Sequence, residues 1–141
     1  MIKESIQYSR GYKYQTKKDY RTRVAIWGYN VSSQFIMLNE AGTLFIRSGY
    51  AWDGPSGPAI DTKNFMRGSL VHDALYQLMR EGLLDSEQSR AVADKELQRI
   101  CLEDGMSRLR AWWVYKAVKL FGGPASWVET PIETAPFSGN I

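Results

Sequence analysis

The chain has 141 residues, 44% of them hydrophobic and 23% charged, which fits one globular domain with its own core and excludes wholesale disorder. The 18 Lys and Arg against 15 acidic residues leave a formal charge of +3, compatible with an anionic surface, nucleic acid or phospholipid, but too small to require either. A single cysteine, Cys101, excludes an intramolecular disulfide framework and fits synthesis in a reducing compartment.

The opening residues, MIKES, lack an apolar stretch of the secretory kind. No run approaches the roughly 20 apolar residues that span a bilayer. The expectation is a protein made in the cytoplasm, reaching the outside only through lysis or packaging in a particle.

In chain order, residues 1–48 read as β-rich. The Tyr-rich stretch 8–20 is a candidate strand, and residues 21–26 (RTRVAI) alternate and are β-branched. Residues 34–38 (QFIML) and 43–46 (TLFI) flank the turn Asn39-Glu40-Ala41-Gly42, a hairpin signal. Residues 49–61 (GYAWDGPSGPAID) hold three Gly and two Pro, which argues against a regular element. Their aromatic and apolar content predicts a loop that folds back onto a site rather than a solvated linker.

Three helices are predicted over residues 62–123. The first spans about 62–80, with Thr62 or Asn64 as cap and Gly82 as stop. Gly68 inside it predicts close packing or a nearby backbone. The second starts at Asp85, whose run Asp85-Ser86-Glu87-Gln88 approximates a capping box, and ends at Gly105. The third spans about 107–121, and Gly122-Gly123-Pro124 ends it. Residues 124–141 lack periodicity and are expected to be a surface tail. The predicted fold class is therefore α+β: an N-terminal antiparallel β-sheet, then a three-helix part containing an antiparallel helix pair.

His72 is the sole histidine, and it shares one helical stripe with Phe65, Ser69, Tyr76 and Met79. Asp73 projects roughly 100° further round the helix. On the second helix Asp94 falls on a stripe with Ala91, Leu97 and Cys101. A carboxylate on an apolar stripe needs a partner. The short 81–85 connection forces antiparallel neighbours and offers His72 and Tyr76. Taken singly, a lone inward histidine is more often a satisfied core residue, and Asp94 is also placed to pair with Arg90 at i, i+4. Taken with the acidic Gly/Pro-rich loop upstream, the site and core readings stand about even.

These residues carry two resemblances. His72-Asp73-Ala74-Leu75-Tyr76, with Asp94 22 residues after His72 and Trp52-Asp53-Gly54 ahead of it, resembles the secreted phospholipase A2 family, especially its bacterial and viral branches. That likeness covers residues 49–105. The run GYAWDGPS followed by HDALY is similar to an uncharacterised domain family common in tailed phages and prophages, the domain of unknown function 1353. This second likeness covers most of the chain and names no activity.

The phospholipase resemblance implies a role for each matching residue. His72 would be the general base, Asp94 would fix its tautomer, and Tyr76 would hydrogen-bond Asp94. Asp73 and Asp53 would ligate Ca²⁺, with Asp61 an alternative to Asp53. The chain departs from that family in lacking disulfides and in its long β-rich front half. A phospholipid membrane surface is the implied partner. The rival reading is a non-enzymatic virion, tail or host-interaction protein that binds other phage structural proteins and uses the His72–Asp94 pair structurally.

The third helix is basic and Trp-rich. Leu109, Trp113, Lys116 and Leu120 share one side, and Arg108, Trp112 and Lys119 another. Such a helix can lie on a membrane. The favoured expectation is that its aromatics pack on the sheet and its basic residues face water. No recognised motif supports specific nucleic-acid binding, and Cys101 on its inward stripe reads as a core residue.

Overall fold

The computed structural model describes residues 6, 8–9, 14–52 and 62–121. Within them, short strands β1 (Tyr8–Ser9), β2 (Tyr14–Thr16), β3 (Tyr20–Arg23), β4 (Val31–Ser32), β5 (Ile36–Leu38), β6 (Thr43–Ile46) and β7 (Ala51–Trp52) precede three helices. The helices are α1 (Lys63–Arg80), α2 (Ser86–Glu103) and α3 (Arg108–Phe121). The architecture is α+β, with antiparallel strands first and helices after.

The β5–β6 hairpin forms because Asn39 organises its turn. Asn39 Oδ1 accepts from Ala41 N at 3.0 Å and Thr43 N at 2.9 Å, and Gly42 takes φ +84, which favours glycine. A Cβ at Gly42 would also sit 2.5 Å from the Val24 carbonyl oxygen. Alternation then buries Ile36, Leu38, Leu44 and Ile46 on one face.

Two sheets form where one was expected. One has the order β3-β6-β5-β4 and the other β1-β2-β7, and neighbouring strands in both are antiparallel. Thr16 stitches them: its amide donates to the Tyr50 carbonyl at 2.9 Å, and its buried hydroxyl donates to the Arg47 carbonyl at 3.0 Å. The Gly/Pro-rich stretch therefore begins as a strand, since Ala51 and Trp52 pair with β2. Residues 53–61, including Asp53 and Asp61, lie outside the described residues, as does the tail from residue 122.

The strand expected over 21–26 stops at Arg23. The Ala25 amide leaves the ladder for the buried Glu96 carboxylate of α2 at 2.8 Å. Val24 and Ile26 are still buried, so the hydrophobic pattern outlasts the strand.

The helix limits follow their signals. Thr62 occupies the α1 N-cap without a side-chain cap bond, its hydroxyl pairing with Asn64 instead. Asp85 caps α2 by accepting from Glu87 N at 3.0 Å, and Gly82 and Gly105 take positive φ beyond the two C-termini. Early residues of α1 meet late residues of α2, so the pair is antiparallel: Arg67 reaches Asp104, and His72 reaches Asp94. Gly68 permits the close approach. A Cβ there would lie 2.9 Å from Leu97 Cδ1 and 3.1 Å from Cys101 Sγ.

The main core joins the sheets to α1. A second cluster gathers Phe65, Leu97, Cys101, Met106, Ala111 and Val114 between the helices. The expected placement of α3 is corrected by this cluster. The helix packs on α2 through its small residues Ala111 and Val114, and Trp112 and Trp113 are exposed instead of packing on a sheet.

Candidate functional site

The inward stripe of α1 delivers the expected side chains. Phe65, Ser69, Tyr76 and Met79 are buried, and the His72 side chain keeps 12% of its exposure. On α2 the stripe differs from expectation at one point: Ala91 is exposed, and Ala93 takes the inward position beside Asp94 and Leu97.

Asp94, 2% exposed, receives two donors on one oxygen. His72 Nε2 lies 2.7 Å from Asp94 Oδ1, and the Tyr76 hydroxyl donates to the same atom at 2.7 Å. The His72 and Tyr76 rings also face each other, with centroids 4.2 Å apart and planes at 32°. They stand one turn apart on α1, so a single Asp opposite engages both. The alternative Arg90–Asp94 pair is not formed among the described residues; Arg90 Nη2 donates to the Lys119 carbonyl at 3.0 Å.

Burial pushes the Tyr76 phenol well above its ordinary range, helped by the hydrogen bond to Asp94 and its charge, while the nearby Arg90 pulls weakly the other way. Tyr76 is thus held as a neutral donor. With Asp94 as a carboxylate, both contacts are donations into Oδ1. The imidazole proton is then assigned to Nε2, which leaves the Nδ1 lone pair as the basic position.

Ser69 lies one turn before His72 and fixes the start of the Gly/Pro-rich stretch. The Trp52 indole N–H donates to Ser69 Oγ at 3.2 Å, and Tyr14 packs on the same ring at 5.5 Å. Tyr50 donates to Gln77 Oε1 at 3.0 Å further along α1.

Asp73 is half-buried on α1, and Asp53 lies outside the described residues. Among the described residues no group of three His, Cys, Asp or Glu side chains could hold a metal ion. Two surface cavities lined by described residues, one bordered by Lys95, Arg99 and Tyr115 and one by Arg21, Met37 and Phe45, contain none of His72, Tyr76 or Asp94.

One feature escaped the sequence reading. Arg67 is buried on α1, donating to Asp104 at 3.0 Å, Glu103 at 2.7 Å and the Tyr20 hydroxyl at 2.9 Å. Nothing in an isolated helical Arg announces such a cluster. Arg90, which its i, i+4 spacing offered to Asp94, acts on the Tyr76 phenol instead. Cys101 is buried, and desolvation, with the charge of Asp104, pushes its thiol up to about 12, which suits a core residue rather than a nucleophile.

Among the described residues no helix is long and apolar enough to cross a membrane. Residues 29–118 match the model of a family described as a protein of unknown function (DUF1353). The match spans well over half of the chain, and the chain belongs to that family. No curated protein and no solved structure matches it.

Proposed function

We propose that this member of the family is a phage-borne, metal-assisted hydrolase resembling phospholipase A2, which activates water against an ester bond of a phospholipid. The observation that carries the reading is the convergence of His72 and Tyr76 on one oxygen of buried Asp94. A base must be oriented as well as basic, and Asp94 fixes the ring and its tautomer while Tyr76 fixes Asp94. The phage attribution rests on the likeness of the GYAWDGPS and HDALY segments to a phage domain family. It carries with it synthesis in the host cytoplasm and association with the virion.

In the proposed reaction, water held at Nδ1 of His72 attacks the ester carbonyl carbon. A C–O bond forms as the water proton passes to Nδ1, and Asp94 stabilises the imidazolium. The ester C–O bond then breaks, and the leaving alkoxide takes the proton from Nδ1. The products are a carboxylic acid and an alcohol, and His72 is regenerated. A Ca²⁺ ion, if bound, would be held by Asp73 together with Asp53, as the phospholipase resemblance implies, and would supply polarisation of the ester carbonyl.

The deep burial of Asp94 also favours a second reading, in which the pair is a structural link in a non-enzymatic virion or host-interaction protein. Hydrolysis in ¹⁸O-labelled water separates the two. The hydrolase reading expects ester-linked phosphatidylglycerol vesicles to release fatty acid carrying one labelled oxygen, with none in the alcohol. A protein that releases no acid leaves the structural reading standing.

A further inference from the structure

Helix α3 presents apolar residues on two opposite sides. Ala111 and Val114 pack on α2, with Val118 partly buried beside them. On the other side, Leu109, Trp112, Trp113, Lys116 and Leu120 follow one another at i, i+3, i+4, i+7 and i+11, inside an arc of roughly 100°. All five are exposed: Leu109 by 76%, Trp112 by 50%, Trp113 by 42% and Leu120 by 74%, with Lys116 among them. Four large apolar side chains on one face exceed the scattered exposure normal for a protein surface.

The charge on this helix has one sign. Its sequence, RLRAWWVYKAVKLF, contains four Lys or Arg and no Asp or Glu. Arg108 and Lys119 flank the apolar stripe on one edge, and Lys116 lies within it, its ammonium 5.8 Å from the Trp112 ring. Glu103, which shares a cavity wall with Tyr115, is already held by Arg67 and Arg99. The face therefore offers a partner apolar insertion at its centre and cations at its rim and middle. A lipid–water interface of anionic headgroups over acyl chains has the complementary order: Leu and Trp enter the acyl boundary, and long basic side chains reach phosphates.

We propose that the Leu109–Leu120 face of α3 docks on anionic phospholipid membranes. The C-terminal end of α3 is joined to the dyad helices, because Arg90, the neighbour of Tyr76, donates to the Lys119 carbonyl. The surface stands on its own observations and goes beyond the hydrolase reading, so it is testable without hydrolysis.

The test is flotation of the full chain with vesicles of ether-linked phosphatidylglycerol, which contain no ester to cleave, against ether-linked phosphatidylcholine. Two double variants, L109S/W113S and K116E/K119E, change only exposed side chains, and circular dichroism checks their folding. The parent should bind phosphatidylglycerol at least about tenfold better than phosphatidylcholine, and each variant should lose about tenfold or more. Trp fluorescence should be quenched by brominated acyl chains in the parent and less so in L109S/W113S. Three results overturn the proposal: no binding to the anionic vesicles, binding unchanged in both variants, or a parent dimer in sedimentation that L109S/W113S dissociates while vesicles stay unbound. The last would assign the face to a second copy of the chain.

Discussion

Gly68 and Leu97 set the spacing of the two dyad helices: a Cβ at Gly68 would fall 2.9 Å from Leu97 Cδ1 and 3.2 Å from the Leu97 carbonyl oxygen. His72 is one turn further along α1 and Asp94 nearly one turn back along α2, so the same close approach brings their side chains within 2.7 Å. Gly68→Val should push the helices apart. The expected loss is about 1–3 kcal/mol of stability, typical of overpacking, read as a lower urea midpoint at unchanged slope. A variant as stable as the parent would show that the helices can separate without cost.

Tyr76→Phe removes one of the two donors to Asp94 Oδ1 and leaves His72 as the other. Stability should fall by about 1 kcal/mol, the net worth of one hydrogen bond. If Tyr76 serves to hold Asp94, any ester hydrolysis should drop less than in a variant of His72 itself. Denaturant melts and acid-release rates on the same preparation check both.

Helices and hairpin were legible because their ends carry local chemistry: Asn39 and Gly42 in the hairpin, Asp85 at one cap, Gly82 and Gly105 at two stops. The His72–Asp94 pairing was legible because a five-residue connection leaves α1 and α2 little choice but to lie antiparallel. The strand at Ala51–Trp52 was not, because two residues show no periodicity and lie among glycines and prolines. The division into two sheets depends on Thr16, whose bonds span more than 30 residues of chain. On α3 the periodicity gave the faces but not which one turns inward. The small residues Ala111 and Val114 fit against α2 where the indoles were expected to be buried. The cluster around Arg67 needed β3, α1 and the end of α2 in place before any part of it could be seen.

Cys101 carries a pH dependence whose sign is fixed by burial. Its folded thiol is raised from 9.0 to about 12, so below pH 9 both folded and unfolded chains keep the proton. Above that the unfolded chain loses it first, and the stability tied to the neutral thiol declines as pH rises from about 9 to about 12. The parent should lose stability over that window more steeply than Cys101→Ala. At pH 8 the native thiol should resist a disulfide reagent that reacts readily in denaturant.

If Asp73 and Asp53 hold calcium, millimolar Ca²⁺ should raise the Tm by binding the folded state, and EDTA should reverse it. Asp73→Asn should abolish the shift. An unchanged Tm in a folded protein would remove the ion from the proposed chemistry.

The most direct test of the central claim is His72→Gln, with urea midpoint and fatty-acid release from phosphatidylglycerol vesicles measured in parallel, calcium present. Glutamine can keep one hydrogen bond to Asp94 but cannot act as a base. The hydrolase account predicts a variant folded nearly as well as the parent, with release reduced by orders of magnitude. A parent that releases no fatty acid, beside a variant destabilised by about 1–3 kcal/mol, would contradict it and make His72 a structural residue.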